Sequence, residues 1–215
     1  PYSKLERFPE LKQLYAGYSF AKDYNHKRGH GYALDDVTRT QRISDATPGT
    51  CFTCKSPDVP RLMKEMGVAA FYKQNFRQLA ASGKIKHPIA CLDCHDPRTL
   101  DLRISRPAFI EAMARRGIDV AKATHQEMRS YVCAQCHVTY YFHKEDAYLT
   151  FPWDKGLNID DILTYYREDG PGKGFADWTH PVSGTPMIKI RHPEFELWNA
   201  GVHAYRGVAC ADCHM

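Results

Sequence analysis

The chain has no apolar run approaching the roughly 20 residues that a membrane helix needs, so no part of its 215 residues is assigned to a helical span. Strand signals are few, which excludes an all-β design and leaves a mainly α fold with long ordered loops. There is no concentrated basic face: the 29 Lys and Arg are dispersed, and the formal charge is only +4. Nucleic acid is therefore not an expected partner. The first residue is Pro1 rather than Met, and we expect a processed or trimmed N-terminus. Finally, no cysteine is left unpaired, yet one of the four cysteine pairs lacks the histidine that follows the other three.

Those pairs are Cys51-Phe52-Thr53-Cys54-Lys55, Cys91-Leu92-Asp93-Cys94-His95, Cys133-Ala134-Gln135-Cys136-His137 and Cys210-Ala211-Asp212-Cys213-His214. C-x-x-C-H is the attachment signature of c-type haem: the thiols add across the vinyl groups and the adjacent imidazole supplies an axial nitrogen. A zinc ribbon would set two C-x-x-C knuckles about 15–20 residues apart, whereas these motifs begin at positions 51, 91, 133 and 210. A disulfide scaffold fits poorly as well, because C-x-x-C pairs tend to be redox-active rather than structural. Four covalent haem c groups are expected, with His95, His137 and His214 as proximal ligands. Lys55 takes that position in the first motif. An amine binds iron only without its proton, so burial and the metal must favour the neutral form. No protein ligand is expected opposite Lys55, and that face is left for substrate. Covalent haem implies maturation in an oxidising compartment, the periplasm. Ionised propionates would cancel or reverse the formal charge.

Hydrophobic residues make up 43% and charged residues 25%, ordinary globular values. Residues 1–50 read as a wrapping segment with short helices, closed by a turn over 45–49. Apolar spacing predicts a helix from Val68 to Ser82 stopped by Gly83. A second is expected from Arg106 to Arg116, capped by Ser105 and ended by Gly117. An amphipathic stretch runs from Asp119 into the third motif. Asn158 is expected to cap a helix through Arg167, and Pro193 to begin a short one through Asn199. The haems are expected to form much of the core. Because their array crosses any boundary, residues 1–215 are expected to form one domain.

Further stretches carry a resemblance: Arg28-Gly29-His30-Gly31-Tyr32, Cys54-Lys55-Ser56-Pro57-Asp58, Cys136-His137-Val138-Thr139-Tyr140-Tyr141-Phe142, Phe151-Pro152-Trp153-Asp154, Thr185-Pro186-Met187, His192-Pro193-Glu194 and Ala200-Gly201-Val202-His203. With them the chain resembles the ammonia-forming cytochrome c nitrite reductases, which are pentahaem enzymes, along essentially its whole length. That family has a fifth haem motif and a helical C-terminal dimerisation region, so we expect this chain to be the N-terminal part of such an enzyme. The resemblance implies six-electron reduction of nitrite to ammonium, with hydroxylamine and sulfite as further candidate substrates. It also implies a homodimer and an electron donor that is either a membrane-associated quinol dehydrogenase cytochrome or a soluble multihaem protein.

The same resemblance puts Arg42, Tyr140 and His192 on the distal side of the Lys55 haem. The set is chemically apt. A guanidinium attracts an anion, an imidazole relays protons near working pH, and a phenol donates a hydrogen bond. It makes His30 the distal ligand of the third-motif haem and assigns His203 to the fifth haem. The distal ligands of the Cys91/Cys94 and Cys210/Cys213 haems are expected outside this chain. His26, His87, His125, His143 and His180 are read as surface or propionate-contacting residues.

Many relatives hold calcium beside this site, using an acidic side chain before the Tyr, two carbonyls and a Gln before the His. Here those positions are Thr139, the carbonyls of Tyr140 and Lys189, and Arg191. Calcium favours several hard oxygens, carboxylates above all. A neutral hydroxyl and a fixed cation do not suit it, so calcium is not expected, and the Arg191 guanidinium is expected in its place. Two other readings stay open: a multihaem electron-transfer module without catalysis, and an octahaem-type reductase of nitrite, hydroxylamine or a sulfur oxyanion.

Overall fold

The fold is known from a computed structural model, which describes residues 2–168 and 172–215. It is mainly α, with only two small hairpins among the described residues, as the scarcity of strand signals implied. The first fifty residues form an arm with short helices α1 (Lys4–Arg7), α2 (Glu10–Leu14) and α3 (Ala33–Arg39). Gly29 adopts a φ of 91°, a left-handed conformation that only glycine takes without cost, just before His30. Arg28 then pairs with Asp36 at 2.6 Å and lies over the Tyr32 ring, which secures the loop around His30.

The long helix expected over Val68–Ser82 is instead two, α5 (Val68–Tyr72) and α6 (Phe76–Ala81). They follow α4 (Val59–Met66), a helix not among those expected, with Pro60 in its first turn and Gly67 at its end. The break lies where the chain leading into the first cysteine pair crosses this segment. The Gly49 N–H donates to the Gln74 carbonyl at 2.6 Å, and the Phe76 N–H to the Thr47 carbonyl at 2.9 Å. A Cβ on Gly49 would sit 2.7 Å from the Phe71 carbonyl, so this approach requires glycine. Asn75 restarts the helix by accepting from the Gln78 N–H at 3.1 Å. Tertiary bonds here outweigh local propensity.

Helix α7 (Pro107–Arg115) lies close to the expected span, but Ser105 is not its cap. Arg106 holds that position and Pro107 opens the helix, its fixed φ suiting the first turn. Helix α8 (His125–Ala134) delivers the third motif from a capping box in which Thr124 and Glu127 satisfy each other's backbone donors. Helix α9 (Ile159–Arg167) begins after Asn158, whose N–H donates to Asp161 at 3.2 Å. Helices α10 (Glu194–Asn199), α11 (Val202–Tyr205) and α12 (Ala211–His214) complete the series. Strands β1 (Tyr141–Phe142) and β2 (Leu149–Thr150) pair antiparallel, as do β3 (Trp178–Thr179) and β4 (Pro186–Met187).

The side-chain core sits behind the first motif. Phe52, inside that motif, is fully buried and stacks on Phe76 with centroids 4.1 Å apart. Val59, Leu62, Phe71, Phe109 and Trp153 extend the cluster. Burying one such side chain contributes about 1.5–3 kcal/mol, so the first motif is rigidly backed.

Candidate haem-binding and active site

None of the eight cysteines is joined to another in a disulfide. In the three C-x-x-C-H motifs the histidine N–H donates to the carbonyl of the first cysteine, at 2.8 Å for His95, 2.9 Å for His137 and 3.1 Å for His214. Each is thus a single helical turn that projects two thiols and an imidazole together. Lys55 differs: its N–H donates to the Phe52 carbonyl at 2.9 Å, a tighter turn. The motifs also meet one another. Cys54 lies close enough to Cys136, and Cys133 to Cys210, for each pair to interact electrostatically. The third motif therefore neighbours both the first and the fourth.

The histidines are prepared as ligands to different degrees. His95 Nδ1 lies 2.6 Å from the Leu100 carbonyl, which can only accept, so Nδ1 carries the proton and Nε2 is left for a metal. Leu100 reaches this position at a φ of 65°, unusual for a bulky residue. His30 and His137 face each other with their Nε2 atoms 3.5 Å apart. Imidazole–metal bonds run about 2 Å, so a metal ion between two such nitrogens needs only a few tenths of an ångström more. Burial, against the opposing pull of Glu194, holds His137 below the ordinary imidazole value, toward the neutral form that ligates metals. His203 is exposed on α11. The donor set of cysteine pairs, imidazoles and one amine fits haem.

Around the first motif the structure gathers Arg42, Tyr140 and Arg191, each within electrostatic reach of Cys51. The Arg42 guanidinium donates to the Asp23 carbonyl at 2.8 Å and lies over the Phe20 ring. Tyr140 stacks on Phe142, and burial raises its phenol well above the usual tyrosine value, so it stays protonated as a donor. His192 adopts a φ of 45°, a strained conformation of the kind that clusters at functional sites. Its ring centroid lies 6.4 Å from that of His137, and its Nδ1 is 3.8 Å from Glu194.

The Arg191 side chain is largely buried, with 14% of its surface exposed. It donates to the Lys189 carbonyl at 3.1 Å and the Tyr140 carbonyl at 3.4 Å, the two carbonyls expected to face a cation here. It also pairs with the buried Asp177 and bonds the Tyr18 hydroxyl. Thr139 is buried beside this group, but its N–H donates to Glu196 at 2.9 Å.

Sequence reasoning missed several of these residues. Asp177 and Tyr18 are joined to Arg191 only through tertiary packing, since Tyr18 stacks on Trp178 at 4.4 Å. Lys27 joins the cationic group: burial, then Arg42 and Lys55, brings its ammonium down to about 8. Glu196 accepts from the Trp153 indole at 2.9 Å and from Thr139, and burial raises its carboxyl to about 7. A carboxylate two residues past His192-Pro193-Glu194 was the available signal.

Four thiol pairs, each followed by a metal-ligating side chain and joined through the third motif, define a multihaem c-type cytochrome. The cytochrome c552 family model matches residues 1–215, and the chain belongs to that family. It is 52% identical over 218 residues to a cytochrome c-552 of Parabacteroides distasonis, covering 98% of this chain and 43% of the relative. It is 44% identical over 227 residues to a cytochrome c-552 of Aliarcobacter butzleri, covering 98% of this chain and 45% of that one. Among solved structures, the catalytic subunit of cytochrome c nitrite reductase from Desulfovibrio desulfuricans, described with two calcium sites, superposes with a TM-score of 0.88 at 39% identity, over 95% of this chain and 46% of that one. The chain thus spans less than half the length of the curated relatives it matches. Covalent haem c is its cofactor, and the mainly α multihaem fold is as expected. No helix among the described residues is long and apolar enough to cross a membrane.

Proposed function

We propose that the protein of which this chain forms part reduces nitrite to ammonium in the periplasm, at a haem ligated by Lys55. One observation carries the reading: an amine replaces imidazole in one motif only, and Arg42, Tyr140 and Arg191 cluster around that motif. Cys51, Cys54 and Lys55 would hold haem c there, and the haem would supply electrons to the bound anion. The neighbouring residues do the rest. Arg42 attracts and orients the anion, with Lys27 adding positive potential at its side. The protonated Tyr140 hydroxyl donates to a substrate oxygen, and His192 relays protons.

Arg191 stands in for calcium in this reading. Its guanidinium satisfies the carbonyls of Tyr140 and Lys189 and keeps a positive charge beside the substrate, while Asp177 compensates it. Turnover is therefore expected to be indifferent to chelators, and calcium restoring activity after chelation would overturn this part. Four haems are assigned to the motifs of this chain, with His30 opposite His137 and His203 reserved for a fifth. Residues 1–215 act as one domain. Hydroxylamine and sulfite are further substrates for the same cationic pocket, a homodimer is the assembly, and the donor is a quinol-oxidising or soluble multihaem cytochrome. The enzyme reading is tested with Lys55→His in the full-length protein. Haem should stay attached while turnover changes by about tenfold or more, as loss of a tuned group does. Unchanged kinetics would remove Lys55 from the mechanism.

A further inference from the structure

The spacer residues of three attachment motifs meet at one side chain that has no assigned role. Arg106 is fully buried at the start of α7. Its Nε donates to the Thr53 carbonyl at 2.6 Å and its Nη2 to the Ser56 carbonyl at 3.0 Å, so the guanidinium grips the backbone on both sides of Lys55. The same Nη2 pairs with the Asp93 carboxylate, inside the second motif. Nη1 donates to the Ser105 hydroxyl at 2.5 Å, and the Ser105 N–H donates to Gln135 Oε1 at 3.0 Å, inside the third. Gln135 closes the circuit by donating to the Asp93 carbonyl at 2.8 Å. Thr53, Asp93 and Gln135 are the second spacer residues of their respective motifs. The fourth such residue, Asp212, lies outside this network and pairs with Arg129 at 2.5 Å.

A buried guanidinium is costly unless every donor is matched, and here its planar fork is matched to two carbonyls, a carboxylate and a hydroxyl. An ammonium could not span carbonyls on either side of Lys55 and reach Asp93 as well. We propose that Arg106 is a positioning residue for the Lys55 haem, clamping the first motif to the second and third and so setting how Lys55 is presented to iron. This rests on the reading of Lys55 as an iron ligand.

The test uses the full-length, haem-loaded protein and its Arg106→Lys and Asp93→Asn variants. Haem content is taken from intact mass, and the spectrum and midpoint potential of each haem from a redox titration without nitrite. Arg106→Lys should load its full haem complement. The spectrum and potential of the Lys55 haem should change while the fourth-motif haem is unmoved. Nitrite kcat should fall about tenfold or more, as small misplacements do, with KM nearly constant. A loaded Arg106→Lys protein whose Lys55 haem matches the wild type would overturn the proposal, as would equal changes at the fourth haem. If Arg106→Lys does not accumulate, Asp93→Asn decides by the same two readings. Because the spectra need no nitrite, an inactive wild type would defeat the functional reading and leave this test intact.

Discussion

The single residue that most distinguishes this site is Arg191. It meets the two carbonyls that the replacement of carboxylate and amide by Thr139 and Arg191 led us to expect. The fixed charge of Arg191 in the sequence made a donor to these carbonyls legible. Its compensation by Asp177 was not legible, since only packing shows which carboxylate is buried beside it. Arg191→Gln should leave Asp177 uncompensated and lower stability by about 3–5 kcal/mol, read from the denaturant midpoint. It should also raise KM for nitrite. Glu196 gives a pH prediction. Its buried carboxyl titrates near about 7, above the ordinary 4.5, so the folded state holds the proton more tightly than the unfolded chain. The stability this contributes is complete below the ordinary value and is lost as pH rises through the folded one. Glu196→Gln should therefore match the wild type near pH ~4 and exceed it by about 3 kcal/mol above pH ~8. A difference that does not vary with pH would contradict the assignment.

Among the elements, those with strong local signals were readable and those shaped by crossings were not. The capping box at Thr124 and Glu127 and the apolar face of α9 both lie in plain sequence patterns. The break between α5 and α6 does not, because the partners at Thr47 and Gly49 are distant in sequence. Helix α4, though not expected, is written in the helical spacing of Val59, Leu62, Met63 and Met66. Two substitutions separate local from tertiary control. Thr124→Ala should cost about 1 kcal/mol of stability and leave every haem spectrum unchanged. Gly49→Ala drives a methyl into the Phe71 carbonyl and should cost about 1–3 kcal/mol. It should also disturb the first haem, because the displaced strand leads straight into Cys51.

For the whole molecule, cysteine spacing disclosed four attachment motifs but not their spatial order. Proximity of Cys54 to Cys136, and of Cys133 to Cys210, makes the third motif the junction. No local pattern encodes that order, which depends on α8 bringing the third motif against the first. The central claim is six-electron reduction at the Lys55 haem, and it is tested most directly by anaerobic nitrite consumption in the full-length protein. A reduced dye would drive the reaction, with ammonium counted against nitrite lost. The account predicts one ammonium for each nitrite, with no free hydroxylamine or nitric oxide. Dye oxidised without loss of nitrite would contradict it and leave an electron-transfer protein.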